Sequence, residues 1–255
     1  MSILDSTLVV IPARGGSKRI PKKNIVDVAG QPMICWPISE LLKVFDEHQV
    51  IVSTDDDEIA FIAQQAGARA PFRRPRKLSG DYVATMPVIQ HSLEWYEDEK
   101  ACVEFVLVVY PTALGIGSDD ILNAYSLLAD DIHCDMVMSA LSYPFPIQRA
   151  VFESPDDTYI KMFQPEFFGT RSQDLVTAFH DAGQFYLFRA DAIKNGKELP
   201  HANVRKYQLK RKDIVDIDTP EDLEFARLMM EARNKNRCAH SKDESALEGV
   251  ISRYV

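Results

Sequence analysis

The chain has 255 residues, of which 46% are hydrophobic and 26% charged, and its formal net charge is −9. This composition is typical of a globular protein, and the length suits one α/β domain with a small insertion. The negative charge argues against nucleic-acid partners, and no apolar stretch approaches the roughly 18 residues of a membrane span. The 4 cysteines lie far apart without a C-x-x-C pair, which argues against a zinc site. Together with the absence of a signal-peptide pattern, they predict a cytoplasmic protein.

The first element is an apolar run at residues 8–11, which predicts a buried parallel strand. Residues 11–24, here called the basic loop, follow it. Gly15 and Gly16 let the backbone turn sharply and approach a ligand. The five cations of the loop are Arg14, Lys18, Arg19, Lys22 and Lys23. Glycines and cations directly after a strand predict polyphosphate binding, although the loop fits neither the ATPase nor the dinucleotide glycine pattern. The alternative is a solvated basic turn.

Strands and helices then alternate along the chain. Further strand-like runs lie at residues 49–53, 104–110 and 134–140. Helical patterns lie at 55–66, where Asp55 is the predicted N-cap, and at 118–129. The alternation predicts right-handed crossovers and a mainly parallel sheet. The basic loop, residues 53–56 and residues 110–117 should therefore meet at one rim of the sheet, where ligands bind in such folds.

Residues 141–185 break this alternation with several prolines and many aromatic side chains. An exposed aromatic-rich insertion predicts an interface, and the alternative is a local mini-core under a long loop. After residue 233 the chain becomes polar, which predicts a C-terminal tail at 234–255. Residues 1–233 would then form a single domain.

Two aspartates near the end of that domain stand out. Thr219 and Pro220 predict a helix start, but this helix does not explain Asp216 and Asp218. These two alternate with apolar residues on a predicted strand, so both carboxylates should share one face. Two carboxylates on one face suit Mg²⁺, and the alternative is a pair of solvated surface acids.

Four segments in this order resemble the CMP-sugar synthetases, cytidylyltransferases that activate nine-carbon α-keto acid sugars such as sialic acid. They are residues 11–24, 52–56, 74–81 and 216–223. Residues 179–186 look like the pseudaminic acid cytidylyltransferase branch. Sialic acid enzymes carry Gln-Pro-Thr-Ser-Pro-Leu-Arg after the third apolar strand, whereas residues 110–116 read Tyr-Pro-Thr-Ala-Leu-Gly-Ile. The missing Gln and Arg argue against sialic acid as substrate.

The resemblance implies a three-layer α/β fold with a mostly parallel sheet, Rossmann-like and of the GT-A-like nucleotidyltransferase type. It implies transfer of CMP from CTP to the sugar with Mg²⁺ as cofactor and release of pyrophosphate. It also implies a homodimer, in which residues 141–185 project, contact the second subunit and cover the sugar site. Alternatives are a CMP-sialic or CMP-legionaminic acid synthetase, and a nucleotide-binding protein of the same fold that has lost the reaction.

Site residues follow from the loop chemistry and the resemblance together. The predicted nucleotide-binding residues are Arg14, Gly15, Gly16, Ser17, Lys18, Lys23, Asn24, Arg74, Asp81 and Thr85. The predicted sugar contacts are Gln184 and Tyr186, with His180 and Asp181 as weaker candidates. The predicted catalytic residues are Arg14, Lys23 and Asp218, and the predicted metal ligands are Asp216 and Asp218.

Overall fold

The computed structural model of the protein describes residues 4–99, 103–154 and 158–251. The strands are β1 (Thr7–Pro12), β2 (Asp27–Val28), β3 (Gln31–Pro32), β4 (Val50–Ser53), β5 (Phe105–Val109), β6 (Met136–Ser142), β7 (Val151–Glu153), β8 (Ile160–Met162), β9 (Phe179–Arg189) and β10 (Val204–Gln208). The α-helices are α1 (Cys35–Leu41), α2 (Asp57–Gln65), α3 (Thr85–Glu99), α4 (Ser118–Ala129), α5 (Ala190–Lys194) and α6 (Pro220–Ile251).

A six-stranded sheet forms the centre of the fold, in the order β10-β6-β9-β5-β1-β4. Every pair is parallel except those of β9, which runs antiparallel to both β5 and β6. The interior strands β1 and β5 are buried on both faces, which explains their continuous apolar sequences. The predicted mostly parallel sheet is confirmed.

Helices cover both faces of this sheet, so the predicted three-layer architecture is also confirmed. On one face, Ile11 and Leu107 pack with apolar residues of α1, α2 and α4. On the other face, Val10 and Val106 pack with α3 and α5. Adjacent residues of one strand thus point into opposite layers, as the two-residue period of a strand requires.

A third apolar cluster fastens the start of α6 beside the sheet. Ile217 is fully buried there with Leu223 and Met230 of α6 and with Leu114, which follows β5. A Cβ on Gly115 would lie only 1.6 Å from the Asp213 carbonyl oxygen, so glycine is required for this close approach. Because Ile217 is buried in this cluster, Asp216 and Asp218 on either side of it have fixed positions.

Two local predictions need correction. The helix predicted at 55–66 begins at Asp57, and Asp56 rather than Asp55 is its N-cap, accepting from the backbone N–H groups of Glu58 and Ile59. Residues 214–218 belong to no strand, so Asp216 and Asp218 lie on irregular backbone. α6 continues to Ile251, so the backbone of residues 234–251 of the predicted polar tail is helical. Residues 252–255 of that tail lie outside the described residues.

In the region of the predicted insertion, β6 continues to Ser142 and β9 begins at Phe179. Between them lie the β7–β8 hairpin and short 3-10 turns. Phe152 and Phe163 stack here with ring centroids 4.7 Å apart. Several large apolar side chains of this region remain exposed, among them Phe145, Tyr159 and Phe168. No helix in the described part of the chain is both long and apolar enough to cross a bilayer.

Candidate active site

The basic loop leaves β1 at the edge of the sheet where β4 also ends. Gly15 N donates to Asp55 Oδ1 at 3.0 Å, which ties the loop to the end of β4. A Cβ on Gly15 would lie 2.6 Å from Asp56 Oδ2, so only glycine fits there. At the far end, Asn24 Nδ2 donates to the Arg14 carbonyl oxygen at 2.9 Å. The loop is therefore held at both ends and has a defined shape.

A cleft of about 560 Å³ opens beside this loop. Eight of the predicted nucleotide-binding residues line it, together with one predicted metal ligand. They are Arg14, Ser17, Lys18, Lys23, Asn24, Arg74, Asp81, Thr85 and Asp218. Gly15 and Gly16 are not among the lining residues and shape the loop instead. Segments that are distant in sequence thus meet at one rim, as the strand order predicts.

Asp81 closes part of the cleft by pairing with two cations of the basic loop. Its carboxylate forms ion pairs with both Arg14 and Lys18. Hydrogen bonds from Lys18 and Arg14 lower the pKa of Asp81 below its ordinary value. A polyphosphate that binds these two cations competes with Asp81 for them.

Arg74 is the most unusual side chain in the cleft. It is only 5% exposed, yet its Nε and Nη2 have no hydrogen-bond partner among the described residues. Asp55 Oδ1 lies 3.6 Å from Nη2 and supplies an opposite charge. Burial nevertheless lowers the pKa of the guanidinium. A buried cation with unused donors costs stability unless something binds it, so Arg74 is suited to a polar ligand in the cleft.

Lys23 reaches across the cleft to the segment before α6. Its Nζ donates to the Ile217 carbonyl oxygen at 2.7 Å and lies 3.4 Å from Asp218 Oδ1. Arg19 Nη2 lies 2.9 Å from the same carboxylate oxygen. Arg19 is one of the five cations of the basic loop but was not among the predicted site residues. Asp218 therefore shares its charge with two cations of the basic loop.

Asp216 lies on the other side of the buried Ile217 and does not line the cleft. Burial and the nearby charge of Asp218 raise the pKa of its carboxyl group, while Lys23 opposes this. The two aspartates are thus close enough to repel each other, although the predicted strand is absent. No cluster of three or more His, Cys, Asp or Glu side chains suited to a metal occurs in the described ranges. A metal here would have two protein carboxylates and would need its other ligands from substrate or water.

The predicted sugar contacts on β9 occupy different environments. Asp181 and Tyr186 line a second cavity of about 240 Å³ next to the cleft, and the Tyr186 hydroxyl donates to the Asp181 carboxylate. Gln184 is 1% exposed, and its Nε2 donates to the Ala182 carbonyl oxygen at 2.9 Å. His180 packs on Tyr143 with ring centroids 4.9 Å apart. Neither Gln184 nor His180 is among the residues that line the two cavities.

Comparisons with known proteins identify the family. A sequence model described as cytidylyltransferase matches residues 8–100, which include the basic loop. The pseudaminic acid cytidylyltransferase of Campylobacter jejuni is 37% identical over 233 residues, covering 90% of this chain and 98% of that protein. The chain belongs to the cytidylyltransferase family. It is therefore a nucleotidyltransferase, and the resemblance predicted from the sequence is confirmed.

Two further proteins are similar to this cytidylyltransferase. The CMP-N,N'-diacetyllegionaminic acid synthase of Legionella pneumophila is 29% identical over 232 residues, covering 88% of this chain and 96% of that protein. The solved structure of a CMP:2-keto-3-deoxy-manno-octonic acid synthetase complexed with CTP superimposes with a TM-score of 0.67 and 20% identity. It covers 89% of this chain and 99% of that one. This likeness confirms the nucleotidyltransferase fold.

The cytidylyltransferase has site residues that sequence reasoning missed. Tyr110 lines both cavities, and its ring contacts that of Tyr186 at a centroid distance of 5.9 Å. Residues 110–117 were predicted to lie at this rim, where ligands bind, but Tyr110 was not named as a site residue. Met136 and Met138 line the second cavity, but in the sequence they look like ordinary core residues of a buried strand.

Proposed function

We propose that this cytidylyltransferase transfers CMP from CTP to the anomeric hydroxyl of a nine-carbon α-keto acid sugar, with pseudaminic acid as the preferred acceptor. The observation that carries the nucleotide assignment is Arg74, a buried cation with unused donors inside a cationic cleft. The choice of sugar rests on the 37% identity to the Campylobacter jejuni protein of that name. Since CTP is made in the cytoplasm, we expect the enzyme to act there.

The basic loop would hold the triphosphate. Arg14 and Lys18 line the cleft from one side and would bind the leaving pyrophosphate, with Ser17 as a further donor. Asp81 would release both cations as the nucleotide enters, because it pairs with them in the free protein. The protein then has two tasks, namely aligning the attacking and leaving oxygens and stabilising the developing charge.

Lys23 would stabilise charge at the α-phosphate. Its Nζ is held by the Ile217 carbonyl oxygen at 2.7 Å, so the ammonium group has a fixed position before substrate binds. A donor fixed in this way contributes more to the transition state than a mobile one, since no reorganisation is needed during reaction. The anomeric hydroxyl of the sugar would attack the α-phosphorus as the bond to pyrophosphate breaks.

Asp216 and Asp218 would hold Mg²⁺. Their donor chemistry fits the ion, because carboxylate oxygens are hard ligands. Burial and the charge of Asp218 raise the pKa of Asp216, and a bound cation would favour the ionised form. When bound, the ion would supply charge stabilisation on phosphate oxygens and favour ionisation of the attacking hydroxyl. Both carboxylates are fixed by the buried Ile217, which lies between them.

The insertion would pair two copies of the chain. Phe145 is 78% exposed and Phe168 is 80% exposed, and large exposed apolar side chains, where they form a patch, are typical of interaction surfaces. A homodimer formed through this region would bring the insertion of one subunit near the sugar side of the other. Size-exclusion chromatography with light scattering would measure the mass directly.

A pyrophosphate-release panel tests the proposed function. CTP, ATP, GTP and UTP are each incubated with pseudaminic, legionaminic or N-acetylneuraminic acid, with and without Mg²⁺. We expect release with CTP and pseudaminic acid in the presence of Mg²⁺. Release only with one of the other sugars would show that this sugar, and not pseudaminic acid, is the acceptor. Binding of CTP without release for any sugar would identify a nucleotide-binding protein that has lost the reaction.

A further inference from the structure

Asp55 lies behind the nucleotide cleft and contacts two of the parts that form it. It follows the end of β4 and is not among the residues that line the cleft. Its Oδ1 accepts from Gly15 N at 3.0 Å and lies 3.6 Å from Arg74 Nη2. One carboxylate oxygen therefore joins the basic loop to the buried arginine, although the two are far apart in the sequence.

The backbone on both sides of this carboxylate is anchored. Arg74 N donates to the Thr54 carbonyl oxygen at 2.8 Å, so the segment that carries Arg74 is bound to the end of β4. On the other side, Asp56 caps α2 with its side chain. Asp55 lies between these two anchored residues, so its carboxylate is itself well placed to fix the side chains and loops that it contacts.

The pair with Arg74 supplies charge without using the donors of the guanidinium group. The separation of 3.6 Å is longer than a hydrogen bond, and Nε and Nη2 of Arg74 have no hydrogen-bond partner among the described residues. Burial lowers the pKa of Arg74, the charge of Asp55 raises it, and the charge of Arg14 lowers it further. Arg74 is thus held by an opposite charge while its donors stay open to a ligand.

The other arginine of the cleft has a carboxylate partner of a different kind. Asp81 pairs with Arg14 and Lys18 and lines the cleft itself, so a polyphosphate competes with it. Asp55 does not line the cleft, so a ligand can bind there without displacing either of its contacts. Of these two carboxylates, only that of Asp55 is placed to act in the occupied site.

We propose that Asp55 is a positioning residue that couples the basic loop to Arg74. Its carboxylate directs the guanidinium group of Arg74 into the cleft and fixes the glycine turn of the loop beside it. The two cationic parts of the site therefore bind CTP as one unit. This inference rests on the proposed function, in which the cleft holds CTP, and adds a residue that acts through Gly15 and Arg74.

Two substitutions of Asp55 separate its two contacts. Asp55→Asn keeps an oxygen that can accept from Gly15 N but removes the charge opposite Arg74. We expect the Kd and KM for CTP to rise about fivefold, with kcat within about twofold of wild type, because ground-state and transition-state binding fall together. Asp55→Ala removes both contacts, so the loop loses its anchor and kcat should also fall about tenfold.

The direction of the change in Kd is itself informative. Removal of a negative charge near the cleft would by itself tighten the binding of an anionic nucleotide. A rise in the Kd of Asp55→Asn therefore reports the lost position of the guanidinium group. When Arg74→Met removes that group, adding Asp55→Asn should weaken CTP binding no further, which completes a double-mutant cycle.

Asp57→Asn is the matched control. Asp57 pairs with Arg73, the neighbour of Arg74, but its side chain is 92% exposed and neither residue lines the cleft. This variant should change the Kd for CTP less than about twofold. Calorimetry measures Kd, pyrophosphate release measures KM and kcat, and a thermal melt of each variant reports its folding.

The outcomes separate the two proposals. If the wild-type enzyme binds CTP and releases pyrophosphate, but Asp55→Asn leaves the Kd unchanged or lowers it, Asp55 does not position Arg74 and the proposed function stands. An equal weakening with and without Arg74→Met would reject the inference in the same way, since a general structural loss does not depend on the guanidinium group. If Asp55→Ala does not fold, Asp55→Asn and its cycle decide. If the wild-type enzyme binds no CTP, the proposed function fails and the inference fails with it.

Discussion

Lys23 offers a sharp test of the proposed mechanism. Lys23→Met removes a fixed donor whose Nζ lies 2.7 Å from the Ile217 carbonyl oxygen. Loss of one such donor costs about 3 kcal/mol of transition-state stabilisation, which corresponds to about a hundredfold in kcat. The folded state loses the hydrogen bonds to Ile217 and to the half-exposed Asp218, together worth about 1 kcal/mol. For a domain of this size that is a fall in Tm of only about 2–4 °C. Activity should therefore fall far more than stability.

The adjacent lysine gives a matched control. Lys22 pairs with Glu58 on the surface and does not line the cleft, so Lys22→Met should change kcat less than twofold, as expected for an exposed pair. The assay is pyrophosphate release at saturating CTP and sugar, with a thermal melt of each variant. A kcat of Lys23→Met within threefold of wild type would refute the role of this ammonium group. An equal loss of activity in both variants would show that activity depends on the total positive charge of the basic loop and not on the position of Lys23.

Three further predictions concern the same cleft. Arg74→Lys keeps the charge but loses the planar fork of donors, so the Kd for CTP should rise at least tenfold by calorimetry. Asp81→Asn removes the partner of Arg14 and Lys18, so inhibition by pyrophosphate should tighten by about twofold to fivefold in a competition assay. Because the pKa of Asp216 is raised, the folded state favours the neutral form of this carboxyl group. In the absence of a divalent metal, the free energy of unfolding should therefore fall as the pH rises above about 3.9, the pKa of an aspartate in the unfolded chain. In EDTA, Asp216→Asn should then raise the Tm at pH 7 but not at pH 3. An unchanged Tm at both pH values would contradict an unfavourable charge on Asp216 in the folded state.

Much of the fold could be predicted from the sequence because its signals are local. The apolar run of β1 and the glycines after it identify a buried strand and a ligand loop without any tertiary information. Helix α4 begins at the predicted Ser118, since its acidic first turn and apolar spacing agree. The antiparallel direction of β9 was not predicted. The insertion before β9 does not have the strand–helix–strand pattern from which a strand's direction can be inferred.

Other misses have tertiary causes. Asp55 and Asp56 are equally good N-caps by sequence, but Asp55 accepts from Gly15 N, which leaves Asp56 to cap α2. Asp216 and Asp218 looked like strand residues because they alternate with apolar neighbours. In the fold, Ile217 is buried between α6 and the segment after β5. This packing produces the same alternation of buried and less buried residues without any strand pairing.

The placement of the predicted sugar contacts depends on an irregularity in β9. In a regular strand, Asp181 and Tyr186 would point to opposite faces, whereas Gln184 and Tyr186 would share one. The pairing with β6 shifts, because Met138 lies opposite Tyr186 and Ala140 lies opposite Asp181. From Asp181 to Tyr186 the chain of β9 advances by five residues, whereas the paired part of β6 advances by only two. The extra residues of β9 form a bulge, which contains Gly183 with a φ of 60°. The bulge brings Asp181 and Tyr186 to one cavity and leaves Gln184 in the core, so a period of two is the wrong guide to this site.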